Sequence, residues 1–164
     1  MKNVPIRDEE PADIPAVRKI IEEAFLQAAE AALVDRLRAD GEAVISGVAV
    51  DAGQVVGHIM FSRMDAPFRA LGLAPVAVEP SLQGNGIGSE LIRWGLARAK
   101  TDNWQGVFVL GDPKFYERFG FSVALASGFE SPYGGEHFMA LALNGDLPAT
   151  SGKVEYAPTF KMLE

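Results

Sequence analysis

The stretch that decides the fold runs from residue 71 to residue 101. It begins Leu71-Gly-Leu-Ala-Pro-Val-Ala-Val78, continues Glu79-Pro-Ser-Leu-Gln83-Gly84-Asn85-Gly86-Ile87-Gly88, and ends with residues 89–101. The first part is an apolar run of strand length. The last part has apolar residues at positions 88, 91, 92, 95, 96 and 99, which is the spacing of one helical face. The stretch therefore predicts a strand, a glycine-rich loop and a helix.

This order of elements predicts an anion site at the loop. Glycine allows backbone N–H groups to turn toward a ligand, and the first N–H groups of a helix have no partner inside it. The helix dipole adds partial positive charge at the same end. The loop contains no lysine, and an anion held by backbone amides does not require one.

Composition and charge limit the class of protein. With 164 residues, 48% of them hydrophobic and 23% charged, the chain is predicted to be one globular domain over residues 1–164. The net charge of −7 makes it a poor nucleic-acid binder. Without a long apolar run or an apolar N-terminal segment, it is expected to be cytoplasmic and to have no membrane partner. The absence of cysteine excludes disulfides, thiolate metal sites and cysteine nucleophiles.

Outside the decisive stretch, hydrophobic periodicity predicts further strands and helices. A hairpin is expected at Ala52-Gly53, and an early helix is expected to be capped by Asp13. Strands are predicted at residues 3–7, 44–51, 55–63, 107–110, 121–126, 137–143 and 154–156. Helices are predicted at residues 13–25, at 30–38 and from Pro113 to just before Gly120.

Two interpretations of the glycine loop do not depend on a resemblance to a protein family. It could be an ordinary turn before a helix. It could also be a dinucleotide fingerprint, with Gly84 and Gly86 followed by Ser89 where glycine or alanine is usual, and with Asp112 as the ribose-binding acid. A dinucleotide fold, however, places its fingerprint after the first strand, whereas here a long segment containing a hairpin precedes it.

A third interpretation follows from a resemblance. Gln83-Gly84-Asn85-Gly86-Ile87-Gly88 matches the pattern Gln/Arg-x-x-Gly-x-Gly/Ala of the GNAT N-acetyltransferase superfamily, and Tyr116-Glu-Arg-Phe-Gly120-Phe121 resembles its second motif, Tyr-x-x-x-Gly-Phe. The resemblance covers roughly residues 4–143, with residues 144–164 as a C-terminal tail. Gly57-His58-Ile59, Leu110-Gly-Asp-Pro113 and Val154-x-Tyr-x-Pro-x-Phe160 resemble a bacterial subgroup of predicted acetyltransferases.

The resemblance implies an α/β (α+β) fold of the GNAT type. Such a fold has a mixed, mostly antiparallel central sheet of six to seven strands, flanked by about four helices, with strands four and five splayed apart. The implied activity is acetyl transfer from acetyl-CoA to a primary amine of a small-molecule or protein acceptor, by direct attack on the thioester. No metal is implied, and a homodimer is expected by analogy with relatives.

The resemblance also assigns site residues. The backbone of strand four pairs with pantetheine, an N–H group near Val78 meets the oxyanion, and the glycine loop holds the pyrophosphate. Tyr116 becomes the general acid that protonates the departing thiolate, because a thiol has a pKa of about 8.5 and tyrosine of about 10. The expected cofactor residues are Val76, Ala77, Val78, Gln83, Gly84, Asn85, Gly86, Ile87, Gly88 and Ser89.

The general base is left open between Glu79 and His58. Glu22, Glu23 and Glu30 border the substrate side in the family, but acids on early helices usually lie at the surface. Many relatives carry an asparagine after strand five that contacts the cofactor, whereas this chain has Gly111-Asp112-Pro113. The alternative functions are a non-catalytic acyl-CoA sensor on the same fold and transfer of a longer acyl group or transfer to oxygen.

Overall fold

A six-stranded sheet with the strand order β1-β2-β3-β4-β5-β7 forms the centre of the protein. The computed structural model describes residues 3–163. The strands are β1 Ile6–Asp8, β2 Ala43–Asp51, β3 Gln54–Arg63, β4 Ala70–Val78, β5 Gly106–Leu110, β6 Phe129–Glu130, β7 Phe138–Ala142 and β8 Gly152–Lys153. The helices are α1 Ile14–Phe25, α2 Ala29–Ala39, α3 Ile87–Thr101, α4 Pro113–Tyr116 and α5 Val123–Ala126. Short 3-10 turns occupy Pro11–Asp13, Pro80–Leu82, Glu117–Phe119 and Pro158–Leu163.

Strands β4 and β5 are parallel and separate soon after they pair. Their register runs from Ala70 opposite Gly106 to Gly72 opposite Phe108, although β4 continues to Val78. The other neighbours in the sheet pair antiparallel. Beyond Gly72, one edge of β4 therefore has no strand beside it, and a gap opens between β4 and β5. This sheet and its splayed pair confirm the predicted GNAT-type fold.

Helix α3 packs closely on one face of the sheet, while α1 and α2 cover the other. A Cβ atom on Gly95 of α3 would lie 2.1 Å from the Phe61 ring of β3, so the absence of a side chain there lets the helix approach the sheet. Val48 and Met60 on the opposite face belong to the core that α1 and α2 cover. This packing holds the start of α3 beside the end of β4.

Two segments differ from the sequence-based expectation. Residues 121–126 were predicted as a strand, but the Ser122 side chain accepts the Leu125 N–H at 3.1 Å and caps the single-turn helix α5 instead. The tail was predicted to have a strand at 154–156, but its strand β8 lies earlier and pairs with β6. The tail then enters the core through Val154 and Phe160, both buried. Within residues 3–163, none of the helices is long and apolar enough to cross a membrane.

Candidate active site

The glycine loop, residues 83–89, contains the N-terminus of α3 and leaves it exposed to the adjoining space. Gly84 and Gly86 have φ angles of 83° and 85°, a left-handed conformation that L side chains rarely adopt. Hydrogen bonding in the helix begins where the Glu90 N–H donates to the Gly86 carbonyl at 3.1 Å. The N–H groups of the first turn before Glu90 are therefore available for a ligand.

Two side-chain amides brace this loop, one against the end of β4 and one against the 3-10 turn that follows it. The Gln83 amide donates to the Val78 carbonyl at 3.1 Å, and the Asn85 amide donates to the Leu82 carbonyl at 2.9 Å. These bonds fix the conformation of the loop before any ligand arrives. A preorganised set of amides loses less conformational entropy on binding than a mobile loop would.

A cleft of about 530 Å³, here called the loop cleft, lies between the glycine loop and the open edge of β4. The expected cofactor residues line this cleft, with the exception of Asn85, which braces the loop. Ala24 and Phe25 at the end of α1 form part of its wall. The structure thus brings the predicted strand and the predicted loop together around one space.

The residues of the loop cleft that sequence reasoning missed include Phe115 and Arg118. Arg118 lies within the second motif and Phe115 directly precedes it, so their place beside Tyr116 was the available signal. The Arg118 guanidinium lies 4.7 Å from the centre of the Phe115 ring. Among the described residues that line the cleft, Arg118 is the only one with a positive charge. By contrast, Arg98 on α3 pairs with Asp8 at 2.7 Å.

A second cavity, of about 370 Å³, adjoins the loop cleft at the gap between β4 and β5. The two spaces share Phe25 and Val76, and Tyr116 and Glu30 line this gap cavity. The Tyr116 ring packs edge-on against Phe121, with ring centres 5.8 Å apart. Burial raises the pKa of Tyr116 above its ordinary value, so the phenol stays protonated at neutral pH.

The two residues predicted as possible bases lie elsewhere. His58 is fully buried in β3, with Nε2 2.9 Å from Ser46 Oγ and 3.5 Å from Glu9 Oε1. Burial, aided by the nearby charge of Arg38, lowers the pKa of His58 to about 3. Glu79 accepts a hydrogen bond from Ser81 and lines a separate cavity of about 770 Å³ beside α1. Neither residue lines the loop cleft or the gap cavity.

Glu30 is the carboxylate in the wall of the gap cavity. It lies in the first turn of α2 and is only 7% exposed. The Gln27 amide donates to both of its carboxylate oxygens, at 2.9 Å for Oε2. The family resemblance put Glu30 at the border of the substrate side, but its burial was not predicted, because an acid on an early helix gives no sequence signal for burial.

Comparisons with known proteins agree with this geometry. The model of the acetyltransferase (GNAT) domain matches residues 40–123. The uncharacterized N-acetyltransferase YhbS of Escherichia coli K12 is 36% identical over 166 residues, which cover 94% of this chain and 97% of that protein. The chain belongs to the GNAT family of N-acetyltransferases.

Solved GNAT structures superpose on the whole fold. The crystal structure of YhbS from Escherichia coli in complex with CoA has a TM-score of 0.90 and 34% identity, covering 96% of this chain and 92% of that one. A GNAT acetyltransferase from Brucella melitensis in complex with acetyl-CoA has a TM-score of 0.81 and 36% identity, covering 96% and 98%. The splayed strands are therefore a GNAT element in this chain, as the sequence predicted.

Proposed function

We propose that this protein transfers the acetyl group of acetyl-CoA to a primary amine. The observation that carries the proposal is the continuity of the loop cleft with the gap cavity at Val76 and Phe25. An anion held at the glycine loop would place an attached thioester on the path to Tyr116. The CoA and acetyl-CoA complexes of the two solved relatives support acetyl-CoA as the co-substrate.

The glycine loop binds the diphosphate of the cofactor. The unpaired N–H groups at the start of α3 donate to the phosphate oxygens, and the helix dipole favours their negative charge. Arg118 at the rim of the loop cleft adds a cation that reaches a phosphate of the cofactor. Gln83 and Asn85 act indirectly, because their side chains hold the loop in its binding conformation.

The open edge of β4 aims the thioester. Residues 76–78 line the loop cleft on the side where no strand covers β4, so their backbone is available to pair with the amide groups of pantetheine. An N–H group near Val78 then stabilises the oxyanion that forms on the thioester carbonyl. The side chains need only be apolar, which agrees with the run Val76-Ala-Val78.

Tyr116 completes the transfer as the general acid. The amine nitrogen forms a bond to the carbonyl carbon, the carbon–sulfur bond breaks, and the phenol gives its proton to the departing thiolate. Burial supports this role, because a raised pKa keeps the Tyr116 hydroxyl protonated until the thiolate develops. His58 and Glu79 lie away from this space, so neither receives the proton of the amine.

The proposal is tested by measuring thiol release from acetyl-CoA in the presence of a panel of primary amines. We expect amine-dependent release together with acetylated product, identified by mass spectrometry. If acetyl-CoA binds but no amine triggers release, the chain is a sensor of acyl-CoA and the transferase proposal fails. Acetyl-CoA and longer acyl-CoA thioesters, each assayed with amines and with alcohols, distinguish the acyl group and the accepting atom.

A further inference from the structure

The gap cavity continues into an outer cavity of about 330 Å³, and the two together form what we call the acceptor groove. Both cavities are lined by Leu73, Ala74, Leu110 and Leu163. The groove begins at Tyr116, where the acetyl group would arrive. It runs along the uncovered part of β4 toward the C-terminal 3-10 turn. The shape and chemistry of the groove therefore determine which acceptors fit.

Most of the wall of the acceptor groove is apolar. Within residues 3–163, five large apolar residues are exposed, and three of them line this groove: Phe25, Leu110 and Leu163, at 38%, 47% and 45% exposure. Leaving such apolar surface in water is unfavourable, so its concentration at one groove indicates a binding site. Tyr133 and Phe160 add aromatic surface in the outer cavity.

Among the described residues that line the acceptor groove, Glu30 is the one acidic residue. Among the described residues, the Gln27 amide is its hydrogen-bond partner, and no lysine or arginine pairs with it. A buried carboxylate without a cation carries a desolvation cost that a bound ammonium group would offset. The Glu30 carboxylate can neutralise one ammonium group, whereas the other ammonium groups of a polyamine would lie unpaired against apolar walls.

The lining of the outer cavity includes a residue whose polar group has no partner among the described residues. The Tyr156 hydroxyl is buried and has no hydrogen bond within the described residues, and the residue lines the outer cavity. Burial, with smaller contributions from Tyr133 and Tyr116, raises its pKa, so the hydroxyl stays neutral. An unsatisfied buried hydroxyl destabilises the folded state, and a hydrogen bond to a polar atom of the ligand would remove this cost.

We propose that the acceptor is a monoamine with an aromatic or similarly bulky apolar body and a hydroxyl-type group remote from the amine. This inference rests on the proposed function. Glu30 pairs with the ammonium group and takes one of its protons, while the apolar body lies along β4 and the remote polar group meets Tyr156.

The proton balance of the reaction follows from these roles. One proton of the ammonium passes to Glu30 and then to solvent, and the freed nitrogen bonds to the carbonyl carbon as the carbon–sulfur bond breaks. Tyr116 protonates the thiolate, and the second proton lost by the nitrogen restores the phenol. The products are the amide, the free thiol and one proton.

The test compares amines of different chemistry by thiol release at saturating acetyl-CoA. Tyramine and 2-phenylethylamine represent the proposed class, and spermidine and a peptide N-terminus represent the alternatives. We expect kcat/KM for tyramine to exceed that for spermidine by at least about tenfold. Release with spermidine or the peptide alone would support the transferase and overturn the proposed acceptor class.

Two variants test whether Glu30 and Tyr156 contact the acceptor amine. Glu30→Gln should raise the KM for tyramine at least about tenfold without changing acetyl-CoA affinity, whereas the exposed-acid control Glu22→Gln should match the wild type. Tyr156→Phe should remove the preference for tyramine over 2-phenylethylamine. An unchanged KM in Glu30→Gln overturns the inference.

Binding of tyramine to the CoA-loaded protein separates the two proposals. If tyramine binds to the wild type but not to Glu30→Gln, the acceptor groove is assigned correctly even where no thiol is released. If tyramine neither binds nor reacts, the inference is wrong, whatever the fate of other amines.

Discussion

The ring of Tyr116 lies directly against Gly111, the residue that follows β5. A Cβ atom on Gly111 would lie 2.5 Å from Tyr116 Cε2, which is too short for a real contact, and 3.1 Å from Cδ2, which is unusually tight. Many relatives carry an asparagine in this region, whereas this chain has Gly111-Asp112-Pro113. In this chain, the missing side chain makes room for the tyrosine.

Gly111→Ala should therefore displace the Tyr116 ring from the gap between the strands. We expect kcat to fall at least about tenfold, with little change in acetyl-CoA affinity, because the glycine loop is untouched. The matched control is the double variant with Tyr116→Phe. If Gly111 acts through the phenol, adding the alanine to Tyr116→Phe costs little more. If the two substitutions instead lower kcat by independent factors that multiply, Gly111 affects turnover by a route other than the phenol.

Tyr116→Phe removes the hydroxyl and keeps the ring. Because the thiolate then lacks its proton donor, turnover should fall at least about tenfold while acetyl-CoA binds as before. Steady-state kinetics and calorimetry give the two quantities. The reverse pattern, unchanged turnover with weaker binding, would make Tyr116 a packing residue.

Arg118→Gln tests the one cation in the lining of the loop cleft. Loss of a charge-assisted contact to phosphate should weaken CoA binding about fivefold or more, and should make the affinity less sensitive to salt. Arg93→Gln is the control, because Arg93 pairs with Glu90 at 2.9 Å on the outside of α3. Equal affinities and equal salt dependence in both variants would remove Arg118 from the site.

His58 should make stability depend on pH. Because its pKa is lowered to about 3 in the folded state, the unfolded state binds the extra proton below the ordinary value of 6.5. The free energy of unfolding should therefore fall by up to about 1.4 kcal/mol per pH unit as the pH drops below 6.5. Glu9 and Arg38 are the charged groups beside the ring.

Urea unfolding between about pH 7 and pH 4.5 measures this slope, above the range in which most carboxylates titrate. His58→Gln cannot titrate, so its stability should vary less with pH in this range, whatever its absolute value. Identical slopes in the two proteins would mean that the imidazole is not held neutral by the fold.

The glycine loop could be predicted because its requirements are local. Left-handed φ angles at Gly84 and Gly86 need glycine, and the unpaired amides follow from the start of a helix. The strand before the loop and the apolar face of α3 are periodic patterns of the same local kind. These features sufficed to predict the splayed sheet and the loop cleft through the family resemblance.

The acceptor side could not be predicted because it depends on contacts between distant segments. Glu30 becomes buried when α2 packs against α1 and the C-terminal 3-10 turn. Tyr156 and Leu163 reach the groove from the other end of the chain. The helix α5 was missed because its cap, Ser122, also bridges to Ala140 in β7. No periodic pattern in the sequence reports such contacts.

The most direct test of the account is calorimetric titration with acetyl-CoA of the wild type, Gly86→Asp and Gly53→Asp. Both glycines have positive φ angles, 85° and 78°, so aspartate introduces similar backbone strain and the same charge at each. Only position 86 lies in the loop cleft. We expect the wild type and Gly53→Asp to bind alike and Gly86→Asp to lose at least about tenfold in affinity. A wild type that does not bind, or equal binding by all three proteins, would contradict the account.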